Sequence, residues 1–330
     1  MIQAVLTDAE NKQTTSEAVK EWLNDLEDLA YDLEDLVDEL NTEALQRILR
    51  ENKGSTSKWA VGRSERTEKY AQFGGECEGG RSYERLPTTS LVVESEVYGR
   101  EEDKEEILKI LFDVESNDSQ ISVIPIVGMG GIGKTTLVQL VYNDERLKDK
   151  FDLKAWACVS DEFNAVRVTK NILEAVSPGE KCDYDNFDKL QVKLKECLSN
   201  QKFLVVLDDI WNENYGDWDI LRRPFLAGKP GSTIIITTRQ ERVAKIMSQS
   251  SSYRLNLLSE GDALSLLAQH AFGAKTFDGH SDLIEIGKSV VRRCKYLPLA
   301  VKALGGLLRM AVGPEEWEEV LKSEIWMAEE

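Results

Sequence analysis

The sequence predicts an α/β fold with a parallel sheet in three layers, followed by a smaller all-helical part, and three observations carry that expectation. Short apolar, β-branched runs alternate with helical patterns through the middle of the chain. One such run, Ile121 to Val127, stops at Gly128-Met129-Gly130-Gly131-Ile132-Gly133-Lys134-Thr135-Thr136 and passes at once into a helical pattern with Leu137, Leu140 and Val141. Another, Phe203 to Leu207, delivers two adjacent carboxylates, Asp208 and Asp209. Strands separated by helices imply crossover helices on both sheet faces.

The glycine-rich stretch meets the phosphate-loop pattern, and each residue type has a physical reason to be there. Glycines let the backbone wrap closely around a polyphosphate and turn its N–H groups inward, and the following helix adds the partial positive charge of its N-terminus. Gly128, Gly130, Gly131 and Gly133 would form this cradle. Lys134 would reach the β- and γ-phosphates, Thr135 would hold Mg²⁺ through its hydroxyl, and Thr136 could donate to the α-phosphate. A glycine-rich turn that binds nothing is the alternative, and the strand and helix on either side speak against it.

Along the chain, residues 1–50 read as a helical segment. Thr14 and Glu17 fit a capping box, and Val19, Leu23, Leu26, Ala30, Leu33, Val37, Leu40 and Ala44 follow a heptad stripe. Trp22, Leu29 and Leu36 widen that stripe to the face of a bundle helix. The segment holds 13 Asp and Glu against 4 Lys and Arg. A solvated face is the ordinary reading of such charge. The functional one is that Asp32, Glu34, Asp35, Asp38 and Glu39 dock a basic partner surface. Residues 51–95, rich in glycine, serine and charge, read as a flexible linker. A nucleotide-binding domain is expected over 96–250. It opens with a helix from Glu102 to Asp113, and beyond the phosphate loop come strands Leu153 to Val159, Phe203 to Leu207 and Ser232 to Ile236. Helices Val166 to Val176 and Phe187 to Leu198 lie between them.

Paired carboxylates at the end of a buried strand occupy the Walker B position, at the sheet edge where parallel α/β folds present catalytic groups. Asp208 would hold Mg²⁺ directly or through water, and Asp209 would orient or deprotonate an attacking water. Arg239, at the end of the next strand, can reach a γ-phosphate from that edge, although alone it would pass for a surface arginine. An additional strand between the phosphate loop and Walker B favours the branch of phosphate-loop folds that includes AAA-type and STAND-type switches. From 251 to 330 four helical patterns, Ala263 to Phe272, Ile284 to Cys294, Leu299 to Arg309 and Glu315 to Leu321, predict the small helical domain.

Composition narrows the function classes. The 330 residues carry a formal net charge of −18, which disfavours a sequence-independent nucleic-acid binder. No apolar run reaches the roughly 18 residues of a membrane helix, so a cytoplasmic place is expected, with at most peripheral association with the plasma membrane. The five cysteines (Cys77, Cys158, Cys182, Cys197 and Cys294) are scattered and read as reduced thiols. His270 and His280 are the only histidines, which leaves little material for metal or histidine-base chemistry.

Taken together, these blocks resemble the nucleotide-binding adaptor module of plant coiled-coil, leucine-rich-repeat disease-resistance proteins, in which that module is called NB-ARC. The likeness rests on VYGRE (Val97 to Glu101), GMGGIGKTT, FDLKAWACVSDEF (Phe151 to Phe163), KFLVVLDDIW (Lys202 to Trp211), GSTIIITTR (Gly231 to Arg239), YRLNLLSEGDALSLLAQHAFG (Tyr253 to Gly273) and LPLA (Leu297 to Ala300). AYDLEDLVDEL, Ala30 to Leu40, looks like the family's acidic signature. The resemblance implies adenine and ribose contacts at Val97, Tyr98 and Arg100, with Pro298 covering the base. It also implies a switch that rests with ADP, assembles when ATP replaces it, and offers its acidic helix to a basic surface of a repeat domain or another receptor chain. Tyr296 stands where the family's GLPLA motif has glycine. The family's first bundle helix, winged-helix domain and repeats are not expected in this sequence, which reads as a fragment or a truncated product. A nucleotide-stabilised interaction protein and a general phosphate-loop ATPase are the alternative classes. The nucleotide retained on purification separates the first from a switch, and an acceptor pocket or motor element would mark the second.

Overall fold

The computed structural model describes residues 88–113, 121–159, 163–177, 179, 186–309, 311 and 313–322. The expected N-terminal helical segment, the linker up to residue 87 and the acidic residues Asp32, Glu34, Asp35, Asp38 and Glu39 lie outside the described residues. Those that are described fall in one compact unit, Ser82–Lys322.

Helix α1 (Glu101–Asp113) leads to β1 (Ile121–Val127), the glycine loop and α2 (Lys134–Tyr142). Then come β2 (Leu153–Cys158), α3 (Ala165–Val176), α4 (Phe187–Leu198) and β3 (Phe203–Asp208). After α5 (Tyr215–Arg222), β4 (Ser232–Thr238), α6 (Glu241–Met247) and β5 (Tyr253–Arg254) complete the sheet. Four further helices follow: α7 (Glu260–Phe272), α8 (Ile284–Arg293), α9 (Pro298–Leu308) and α10 (Pro314–Lys322).

The strands are parallel, in the order β2-β3-β4-β1-β5. Every residue of β3 and β4 is buried, as expected of strands covered on both faces. Alternation along β3 divides the two layers. Phe203, Val205 and Leu207 share one core with Val168 and Ile172 of α3 and with Leu190 and Leu194 of α4. Leu204 and Val206 share the other with Ile107 and Leu108 of α1 and with Leu137 and Val141 of α2. The expected three-layer α/β sheet is therefore present.

The topology puts the additional strand somewhere sequence order does not indicate. In space β1 and β3 are separated by β4, which follows both in the chain, whereas β2, which lies between them in sequence, takes the edge. Pro125 is tolerated inside β1 because of its side. The Val127 carbonyl accepts from the Leu255 N–H toward β5, so Pro125, two residues earlier, faces its missing N–H to that same flank, and β5 pairs only with Ile126 and Val127.

Past the sheet, α9 packs on α7, with Val301, Leu304 and Leu308 buried. Phe272 stacks with the His280 ring, centroids 4.1 Å apart, and with the Trp317 ring, centroids 5.5 Å apart, which ties α10 to the end of α7. Trp317 is fully buried.

Candidate functional site

Because the strands are parallel, β1, β3 and β4 end at one edge, and the loop, the paired carboxylates and Arg239 meet there. The loop bends through left-handed backbone at Gly131 (φ +69°) and Gly133 (φ +99°), a region glycine enters without steric cost. Gly133 is also the N-cap of α2. Lys134 begins that helix, buried, with its Nζ donating to the carbonyls of Gly128 at 2.6 Å and Met129 at 2.9 Å. Burial lowers its pKa to about 8, against the upward pull of Asp209 and Asp208.

The carboxylate corner is built by three elements. Asp208, at the end of β3, is fully buried. Its Oδ1 accepts from Thr135 Oγ1 of α2 at 3.1 Å and from Thr237 Oγ1 of β4 at 2.5 Å. Its Oδ2 is buried with no hydrogen-bond partner among the described residues. A carboxylate oxygen in that condition costs free energy unless something positive meets it. Thr135 and Asp208 together offer the hard oxygen donors that Mg²⁺ takes when phosphate and water complete its shell. The residues present therefore fit a phosphate-bound divalent cation. Asp209 follows with φ +60°, a conformation aspartate tolerates better than most residues, and its N–H donates to Thr237 Oγ1 at 2.8 Å. Thr237 thus fixes both carboxylate residues. Its only signal in the sequence is a hydroxyl at the end of an apolar run, because the pairing of β4 with β3 is decided by the sheet order. The Arg239 guanidinium lies 4.4 Å from the Trp211 ring centroid.

A cleft of about 530 Å³ runs from this edge toward the helical part. Val97, Tyr98, Arg100, Gly130, Gly131, Gly133, Lys134, Thr135, Thr136, Asp209, Arg239 and Pro298 all line it. Gly128 and Asp208 do not, but their oxygens hold Lys134 and Thr135, which do. Leu258, His270, Leu299 and Lys302 line it as well; the first three lie in the quoted motifs, but none of the four is a site residue in the sequence analysis.

The helical part reaches the loop through backbone. Pro298 opens α9 and has no N–H, so the first free amide of that helix belongs to Leu299, and it donates to the Gly131 carbonyl at 3.2 Å. Leu299 sits so close that a Cβ on Gly131 would come within 2.7 Å of its own Cβ. The Tyr98 hydroxyl also joins the two parts, donating to Gln269 Oε1 of α7 at 3.3 Å.

Tyr296, before α9, has φ +60°. Its N–H donates to the Val291 carbonyl and its own carbonyl accepts from Leu258, so the left-handed turn aims the start of α9. The position that holds glycine in the resembled family is thus one whose backbone favours glycine. Left-handed backbone costs a side-chain-bearing residue about 1–2 kcal/mol, and glycine's extra freedom in the unfolded chain returns about 0.5–1 kcal/mol. Tyr296→Gly is expected to stabilise the protein by about 0.5–1 kcal/mol, read as a raised denaturant midpoint. A lowered midpoint would show that the ring's own contacts outweigh the strain.

Comparison with known proteins supports the same reading. The family model described as NB-ARC domain matches residues 100–276, and that described as Rx N-terminal domain matches residues 1–67. RPP13-like protein 1 of Arabidopsis thaliana is 42% identical over 355 residues, covering 98% of this chain and 34% of its own length. The disease resistance protein RGA2 of Solanum bulbocastanum is 36% identical, covering 98% of this chain and 35% of its own. The chain thus spans about a third of the length of these relatives. Among solved structures, Drosophila ORC bound to DNA superposes with a TM-score of 0.51 at 12% identity, over 77% of this chain and 71% of that one, a likeness of fold alone. A match over more than half of the chain, on the segment that carries both the glycine loop and the paired carboxylates, makes this protein a member of the NB-ARC family.

Proposed function

We propose that this chain is the nucleotide-dependent switch of a plant intracellular immune receptor, binding ADP or ATP with Mg²⁺ in the cleft and turning ATP over slowly. One observation carries the reading furthest. The cleft is walled by the phosphate loop on one side and by Pro298 and Leu299 on the other, with the Leu299 amide bonded to the loop at Gly131. A nucleotide held there touches the α/β and helical parts at once, so its identity bears on how they sit together.

In this reading Lys134 and the loop amides hold the β- and γ-phosphates, and Thr136 lies where the α-phosphate would be. Thr135 and Asp208 hold Mg²⁺, which neutralises phosphate charge when bound. Asp209 orients or deprotonates water, and Arg239 meets the γ-phosphate. Val97, Tyr98, Arg100 and Pro298 flank the nucleoside. The acidic residues Asp32, Glu34, Asp35, Asp38 and Glu39 dock a basic surface of a repeat domain or another receptor chain, and assembly follows nucleotide exchange. The site is expected in the cytoplasm. Among the described residues no helix is long and apolar enough to cross a membrane.

Gentle purification followed by nucleotide analysis, with titrations of ADP and ATP-Mg²⁺ on the emptied protein, tests the proposal. The expected result is retained adenine nucleotide and saturable binding of both ligands. An empty site that binds neither would overturn it in favour of a pure interaction protein.

A further inference from the structure

The Arg100 guanidinium is 4% exposed, and its two terminal nitrogens are both engaged. Nη2 donates to the carbonyl of Ile132 in the phosphate loop at 2.8 Å, and Nη1 pairs with Asp103 Oδ2 at 3.0 Å. The other oxygen of Asp103 accepts from the Tyr253 hydroxyl of β5 at 2.7 Å. A continuous brace therefore runs from the sheet edge through Tyr253, Asp103 and Arg100 to one loop peptide. That peptide is planar and trans, so fixing the Ile132 carbonyl on the Arg100 side turns the Gly133 N–H to the opposite side. Gly133 is the N-cap of α2, beside Lys134, at the point where a phosphate meets both the helix dipole and the ammonium.

We infer that Arg100 is a positioning residue for phosphate recognition: it clamps the Ile132–Gly133 peptide in the anion-receiving orientation, and its guanidinium does not read the base or the ribose. The residue type follows from the two bonds, since a planar fork can hold a carbonyl and a carboxylate at once in fixed directions whereas an ammonium is a point charge on a flexible stem. The inference rests on the nucleotide reading of the cleft and, within it, moves the Arg100 guanidinium from the nucleoside to the loop.

Affinities for adenosine, pyrophosphate and ADP, measured on the whole chain and on Arg100→Gln and Arg100→Lys well below their unfolding temperatures, test it. Arg100→Gln is expected to weaken ADP and pyrophosphate by a common factor of at least tenfold and to leave adenosine unchanged, with Arg100→Lys between it and the parent. A loss for adenosine and ADP with pyrophosphate unaffected would place the guanidinium on the nucleoside and overturn the inference, as would no loss for any ligand. A parent that binds ADP but not pyrophosphate would overturn it too while leaving the nucleotide reading in place. A parent that binds none of the three would instead sink that reading. Where Arg100→Gln does not fold, Tyr253→Phe removes the far end of the brace. It is expected to weaken ADP and pyrophosphate equally by about threefold, or under 1 kcal/mol, and unequal losses would count against the brace.

Discussion

Lys134→Ala is expected to abolish detectable binding of ADP and ATP, a loss of at least a hundredfold, or about 2.7 kcal/mol. The ammonium is buried beside the loop carbonyls, and a contact from it to a phosphate would be charge-assisted, roughly twice as strong as a neutral one. Calorimetric titration measures the loss, and an unfolding curve separates it from damage to the fold. A merely twofold change would remove Lys134 from the centre of recognition. The same side chain sets a pH dependence. Its folded pKa, about 8, lies below its value in an unfolded chain. Between the two the unfolded chain binds more protons, so this group's contribution to stability rises with pH across that window. Phosphate binding runs the other way, because it requires the charged form. ADP affinity is expected to fall as pH rises above 8, by up to about tenfold per unit, and to stay nearly flat in Lys134→Arg. Affinity independent of pH up to 9.5 in the parent would contradict the assignment.

The second large effect divides the carboxylates. Asp208→Asn puts an amide nitrogen or a neutral oxygen where Oδ2, buried and without a hydrogen-bond partner among the described residues, now stands. It is expected to remove the gain that Mg²⁺ gives to ATP affinity, about tenfold to a hundredfold, or 1.4–2.7 kcal/mol, with little change in metal-free binding. Asp209→Asn keeps a side chain suited to φ +60° and leaves the N–H bond to Thr237 in place. Its expected phenotype is retained ATP-Mg²⁺ binding with hydrolysis slowed at least tenfold, or about 1.4 kcal/mol in barrier. Titrations with and without Mg²⁺, beside a single-turnover assay, resolve the pair. The reverse pattern, with Asp209→Asn losing affinity and keeping turnover, would exchange the two roles.

Local chemistry made much of this protein legible in its sequence. The run Phe203 to Leu207 is apolar at every position because β3 is covered on both faces, and a strand of that kind has no polar face to hide it from a sequence reader. The glycine loop announces itself because few other functions need that many glycines beside a lysine, between a strand and a helix. Longer helices such as α3 and α4 showed their periodicity for the same reason: twelve residues are enough to display an apolar stripe. The elements the sequence reading left out are short. Helices α5 and α6 have eight and seven residues and β5 has two, so each depends on what it packs against more than on its own pattern.

Sequence by itself singled out Lys134, Thr135, Asp208, Asp209 and Arg239 as candidate groups for the sheet edge, because each stands at the end of a run whose type is local. Only the tertiary structure decided how those groups are held. It brought β4 between β1 and β3, and with it Thr237 under both aspartates. It set the Leu299 amide against Gly131 across 168 positions of chain, and gave the Arg100 guanidinium to a loop carbonyl 32 positions away. It also showed that Tyr296 occupies backbone suited to glycine. Hydrogen bonds between residues so far apart leave no period or spacing in a sequence, since their partners become neighbours only when the sheet order and the helix packing are fixed.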